Sequence, residues 1–152
     1  MANTQSMCTS FMGELLTGTH NFTPSTGDTF KAALYLASAT LNASTTAYST
    51  TGEVTGTNYT AGGVTVTNSV APTATNSSAT AGVAYWTPSA SLVYTNVTLS
   101  TAFDTVLIYN SSKSDKAVSV HTFGSQTVTA GTFTLTMPTN NTTNALLRLA
   151  TT

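Results

Sequence analysis

Apolar residues fall at helical spacing only near the start of this chain. Met7, Phe11, Met12, Leu15 and Leu16 recur so as to line one face of an α-helix. The pattern predicts a helix over residues 5–17. Thr4 or Ser6 stands where a cap is needed, and Gly18 stands just past the end. About three turns are marginal in water on their own, so this helix must pack on something.

From Thr29 the period changes to two. Phe30, Ala32, Leu34 and Leu36 alternate with Lys31, Ala33 and Tyr35, as side chains of a strand do. Leu41 to Gly63, rich in Thr, Ser and Gly, predicts a long connection anchored by Tyr48, Val54 and Tyr59. Gly62-Gly63 signals a turn into a short strand over Val64-Thr65-Val66-Thr67. Ala71 to Ala81 is small and polar and reads as a loop. Gly82 to Thr87, with Val83, Tyr85 and Trp86, reads as a strand that Pro88 ends or confines to an edge.

The second half is denser in strands. Leu92 to Leu99 alternates, and Val106, Leu107 and Ile108 stand in a row within Asp104 to Tyr109, which suggests burial on both faces. Asn110 to Asp115 predicts a hairpin loop into Lys116 to Phe123. Gly124 is expected to turn the chain, with further strands at Gln126 to Val128 and Thr132 to Met137 around Ala130-Gly131. Pro138 to Thr143 is a polar loop, and Ala145 to Ala150 closes the chain. About seven to nine short strands with no βαβ unit predict an all-β antiparallel β-sandwich, jelly-roll-like, with one short N-terminal helix. Residues 1–152 form a single domain on this reading, the sandwich spanning 29–150.

Composition narrows the function. Charged residues make up 6% of the chain, against the usual ~25%, so Thr, Ser and Asn must solvate the surface. Lys31, Lys113, Lys116 and Arg148 are the only cations, and the net charge is −1. No basic footprint for nucleic acid or an acidic membrane results, while near-zero charge favours association. The start of the chain lacks a basic stretch followed by a long apolar one, so no signal peptide is expected. Asn-x-Ser/Thr triplets such as Asn21-Phe22-Thr23 and Asn96-Val97-Thr98 then read as chance in a Thr- and Asn-rich chain. No apolar run approaches a membrane span. Cys8 is the only cysteine, which excludes an intrachain disulfide and fits a reducing compartment.

Little material remains for chemistry. Glu14, Asp28, Glu53, Asp104 and Asp115 form no close pair in sequence and read as surface carboxylates or turn caps. His20, His121 and Cys8 are too few and too scattered for a tetrahedral metal site. Cys8 reads as a small buried hydrophobe on the helix beside Met7. Gly62-Gly63 and Gly124-Ser125 read as turn glycines, not phosphate cradles. No catalytic residue, metal or cofactor is expected. Trp86, Tyr85 and Tyr94 would suit a sugar-binding surface, although aromatic residues on adjacent strands more often pair with each other.

Four segments carry a resemblance. Phe30-Lys31-Ala32-Ala33-Leu34-Tyr35, Tyr59-Thr60-Ala61-Gly62-Gly63, Leu107-Ile108-Tyr109-Asn110-Ser111-Ser112 and Phe133-Thr134-Leu135-Thr136-Met137-Pro138 resemble small virion structural proteins of tailed bacteriophages. The resemblance runs from the helix to Ala150. It implies a β-sandwich present in many copies on a particle, in contact with itself and with the major capsid protein or other virion proteins, and assembled in the host cytoplasm. A capsid decoration or cement protein is the first expectation, and a neck, tail or fibre component the second. The helix face of Met7, Phe11, Met12, Leu15 and Leu16 is the candidate partner contact, together with strand edges open to β-augmentation.

Overall fold

In a computed structural model, which describes residues 2–75 and 82–151, the protein is all-β with one short helix. The elements are β1 (Ser6–Met7), α1 (Thr9–Leu16), β2 (Phe30–Leu36), β3 (Val64–Thr65), β4 (Thr73–Thr75), β5 (Val83–Trp86), β6 (Leu92–Asn110), β7 (Lys116–Leu135) and β8 (Leu147–Ala150). They form two antiparallel sheets, a larger one ordered β1-β7-β6-β2-β3 and a smaller one ordered β4-β5-β8. The sheets meet through aromatic rings. Phe22 stacks on Phe30 of the large sheet at 4.3 Å and meets Trp86 of the small sheet edge-on at 4.9 Å.

β2 is an interior strand of the large sheet, between β3 and β6. This explains why Ala33 and Tyr35 are as buried as Ala32 and Leu34. The long connection 41–63 folds back over it: Val54 N–H donates to Leu34 O, and Tyr35 Oη donates to Ser49 O. Tyr48, Val54 and Tyr59 all pack against the core, as anchors of that connection should. The Gly62-Gly63 turn has φ of 89° and 71°. A Cβ on Gly63 would overlap the Ala32 carbonyl, so this turn needs glycine for its backbone angle and for the close approach.

The helix is shorter than residues 5–17. Met7 leaves it for β1, where Ser6 pairs with Val120 and Met7 with Ser119, and Cys8 N–H donates to Val118 O. These partners satisfy backbone groups that a longer helix would leave at its own expense. Neither Thr4 nor Ser6 caps α1; the cap position is Cys8, extended and without a side-chain bond. Gly18 does end it, with φ 67° and its N–H on Leu15 O.

The second half holds two long strands in place of several short ones. Leu92 to Leu99 and Asp104 to Tyr109 are parts of one strand, β6. β7 runs straight through Gly124, which does not turn the chain. The β6–β7 pairing slips at four places between Tyr94 and Thr105, and Asn96 and Ala130 take positive φ of 52° and 45°. Small and polar residues here mark bulges within a continuous ladder, not its ends. The 106–109 run is buried on both faces, as its composition suggests. Within the Ala71–Ala81 segment, Thr73–Thr75 form β4 against β5, because β5 offers its edge; residues 76–81 lie outside those described. No helix among the described residues is long and apolar enough to cross a membrane.

Candidate functional site

The five residues of the candidate contact face are divided by the fold. Phe11 is only 2% exposed; its ring lies 4.9 Å from His20 and 6.0 Å from Phe22. It belongs to the protein's own core. Met7, on β1, and Leu15 are half-buried against the same core. Met12 and Leu16 face outward, 44% and 90% exposed. The expected continuous docking stripe is therefore partly consumed by the protein itself, because an eight-residue helix can be held only by burying one side.

Beside the helix lies a cleft of about 120 Å³ between α1 and the small sheet. Met7, Phe11 and Leu15 form one wall. Ala84, Tyr85, Trp86, Leu147 and Leu149 form the other, with Phe22 and Pro72 between them. All of these side chains are apolar apart from the tyrosine hydroxyl. Leu149, 44% exposed, continues the cleft toward solvent.

The aromatic residues that would suit a sugar platform are turned inward. Trp86 is 2% exposed, and its Nε1–H lies 3.1 Å from both Asn68 Oδ1 and Val70 O. Tyr94 is buried with its hydroxyl donating to Ala32 O at 2.8 Å. Tyr85 and one side of the buried Trp86 ring line the cleft, and Tyr94 does not reach it.

Glu14, His20 and Asp28 are engaged within the protein. Glu14 accepts from Lys116 Nζ at 2.6 Å and from His20 Nε2 at 2.8 Å. The other ring nitrogen of His20 accepts from Asn110 Nδ2 at 2.9 Å, and the same amide donates to Asp28 Oδ2 at 2.8 Å. Ser112 N–H donates to Asn110 Oδ1, which sets the side-chain amide orientation and hence the His20 tautomer. Asp28 reaches Lys113 at 3.6 Å. Partial burial alone would raise the Glu14 carboxyl, but the bonds from Lys116 and His20 outweigh it and hold the group below the usual carboxylate range. Asp28 is likewise lowered: burial opposes the shift, and Asn110, the Asn21 N–H and Lys113 produce it.

Glu53 overturns the reading of surface carboxylates. It is 5% exposed and accepts from Tyr48 Oη at 2.6 Å, Tyr59 Oη at 2.8 Å and Gly62 N–H at 2.7 Å. Three donors replace water around a buried acid, and they tie the long connection to the Gly62 turn. Its position between Tyr48 and Tyr59, in a stretch without other charges, was the sequence signal available. Asp104 accepts from Asn3 Nδ2 and from the hydroxyl of Thr105.

Cys8 lies at the cap position, not on the helix, and is fully buried; burial first, and the Glu14 charge second, push its thiol up to about 11. His121 bonds Ser119 Oγ at 2.8 Å, and burial pushes its imidazole down to about 4. Among the described residues, no three of His, Cys, Asp and Glu converge as a metal site would require. Comparison with protein-family models, curated proteins and solved structures finds no match to this chain.

Proposed function

We propose that this protein is a non-enzymatic structural component of a bacteriophage virion, a capsid decoration or cement protein that stabilises the shell through protein–protein contacts. One observation carries the reading. Glu14, Asp28, Glu53 and His20, which could have served chemistry, are bonded within the fold, while the cleft between α1 and the small sheet is apolar. Such a surface suits contact with a shell subunit. Apolar side chains of the major capsid protein would enter the cleft, and Met12, Leu16 and Leu149 would be covered around it. The resemblance of the Phe30, Tyr59, Leu107 and Phe133 segments to virion proteins points the same way. A neck, tail or fibre position is the second reading within the same particle.

A density map of the particle, with the copy number of this protein, tests the proposal. Many copies on the outer face of the shell are expected. A few copies confined to the neck or tail would transfer the protein to the second reading, and absence from purified particles would remove both.

A further inference from the structure

One edge of the large sheet is left open. β7 is covered at its start: Lys116 bridges Ala47, Ala117 N–H donates to Thr46 O, and Ser119 and Val120 pair with β1. Beyond Val120, among the described residues, no strand or bridge joins that side of β7, although β6 accompanies it on the other side to Leu135. The open stretch spans Thr122 to Leu135, about 45 Å at ~3.3 Å per residue. Open edges are normally blunted by charge, by proline or by bulges. Here there is no charged residue from Ala117 through Leu147 and no proline within β7. The two β7 bulges, and one bond from Gln126 Nε2 to Gly124 O, are what interrupts it.

A second observation lies beside the edge. Phe103 is fully buried, and Phe123 and Phe133 pack on it at 6.0 and 5.0 Å, with 5.5 Å between their own centroids. Both are only half-buried, so the aromatic cluster beside this edge leaves part of its surface uncovered.

We propose that the β7 edge from Thr122 to Leu135 pairs antiparallel with the same edge of a second copy of this chain, joining two large sheets into one. An edge without charge carries no pattern that would select a strand of opposite sign, and it meets its own copy without repulsion. With a net charge of −1 per chain, the rest of the molecule adds little opposition. A two-fold axis near Val128 brings Phe123 close to the partner's Phe133, offset by the β7 bulges, and adds cover to both clusters at once, as an isologous interface does. The threonines flanking Val128 then face their counterparts, a favourable cross-strand pairing. This inference concerns the isolated protein and stands or falls independently of shell attachment.

The test is sedimentation velocity on the full chain across concentration, with amide exchange alongside. The parent is expected to sediment as a dimer, and exchange within residues 122–135 is expected to slow as concentration rises. Thr127→Lys with Thr129→Lys places like charges along the edge; loss of the dimer with an unchanged circular dichroism spectrum and melting midpoint is expected. If that variant misfolds, the exchange measurement on the parent still decides. A monomeric parent at the highest soluble concentration overturns the proposal. So does a dimer that survives both lysines, or one whose concentration-dependent protection maps to α1 in place of β7.

Discussion

At the residue scale, burial decides what each polar group can do. His121 is the clearest case, because its imidazole is pushed to about 4 from an ordinary value of 6.5. Between those values the unfolded chain takes up a proton that the folded chain refuses, so stability falls as pH drops through that window. Above about pH 6.5 the group is neutral in both states and contributes nothing. Thermal melts from pH 7 to 4.5 are expected to show a decline that flattens in His121→Gln, by ~1–3 kcal/mol at the acid end. A parent curve as flat as the variant's would rule this out. Glu14 and Asp28, with lowered carboxyls, add a further loss only at more acid pH, where they become protonated.

At the element scale, α1 has one side committed to the core and one side free. Phe11→Asp with Leu15→Asp buries charge where Phe11 meets His20 and Phe22. The cost is at least the ~3–5 kcal/mol of losing a core aromatic, comparable to the whole stability of many domains. That variant is expected to unfold, seen as loss of the cooperative melt. Met12→Lys with Leu16→Lys alters exposed positions and is expected to shift stability by no more than ~0.5 kcal/mol. If α1 contributes to the shell contact, the lysine variant stays folded and fails to decorate particles in a binding assay. Full decoration by this variant would locate the contact elsewhere. The long strands make a related point: β6 and β7 stay continuous past Asn96, Gly124 and Ala130 because each irregularity absorbs one or two misfit residues and the ladder resumes beyond it.

At the scale of the whole molecule, charge is sparse and part of it is paired within the fold. Few exposed ion pairs are available to any interface. Raising sodium chloride from 0.1 M to 1 M shortens the Debye length from ~10 Å to ~3 Å, but there is little for it to screen. Apolar burial is maintained or strengthened under the same conditions. Attachment to particles is therefore expected to survive molar salt, measured by co-sedimentation; release of native protein by moderate salt would count against the proposed function.

The alternation from Phe30 onward, the Gly62-Gly63 turn, the Asn110–Asp115 hairpin and the doubly buried 106–109 run were legible in the residues themselves. Each depends on local periodicity or on a backbone angle that only some residues tolerate. The end of α1 at Gly18 was legible for the same reason. Its start was not, because Ser6 and Met7 are claimed by a strand more than a hundred residues away. Gly124 and Ala130 looked like chain reversals because a bulge and a turn use the same residues; only the neighbouring strand β6 distinguishes them. The candidate contact face could not be divided in advance, since periodicity shows that a face is apolar but not what covers it. The Glu53 clamp and the Lys116–Glu14–His20–Asn110–Asp28 chain join residues up to 102 positions apart. Local pattern determined where most of the strands lie; long-range packing decided their ends and which polar groups are buried together, because the cost of burying them is offset only by partners that the completed fold supplies.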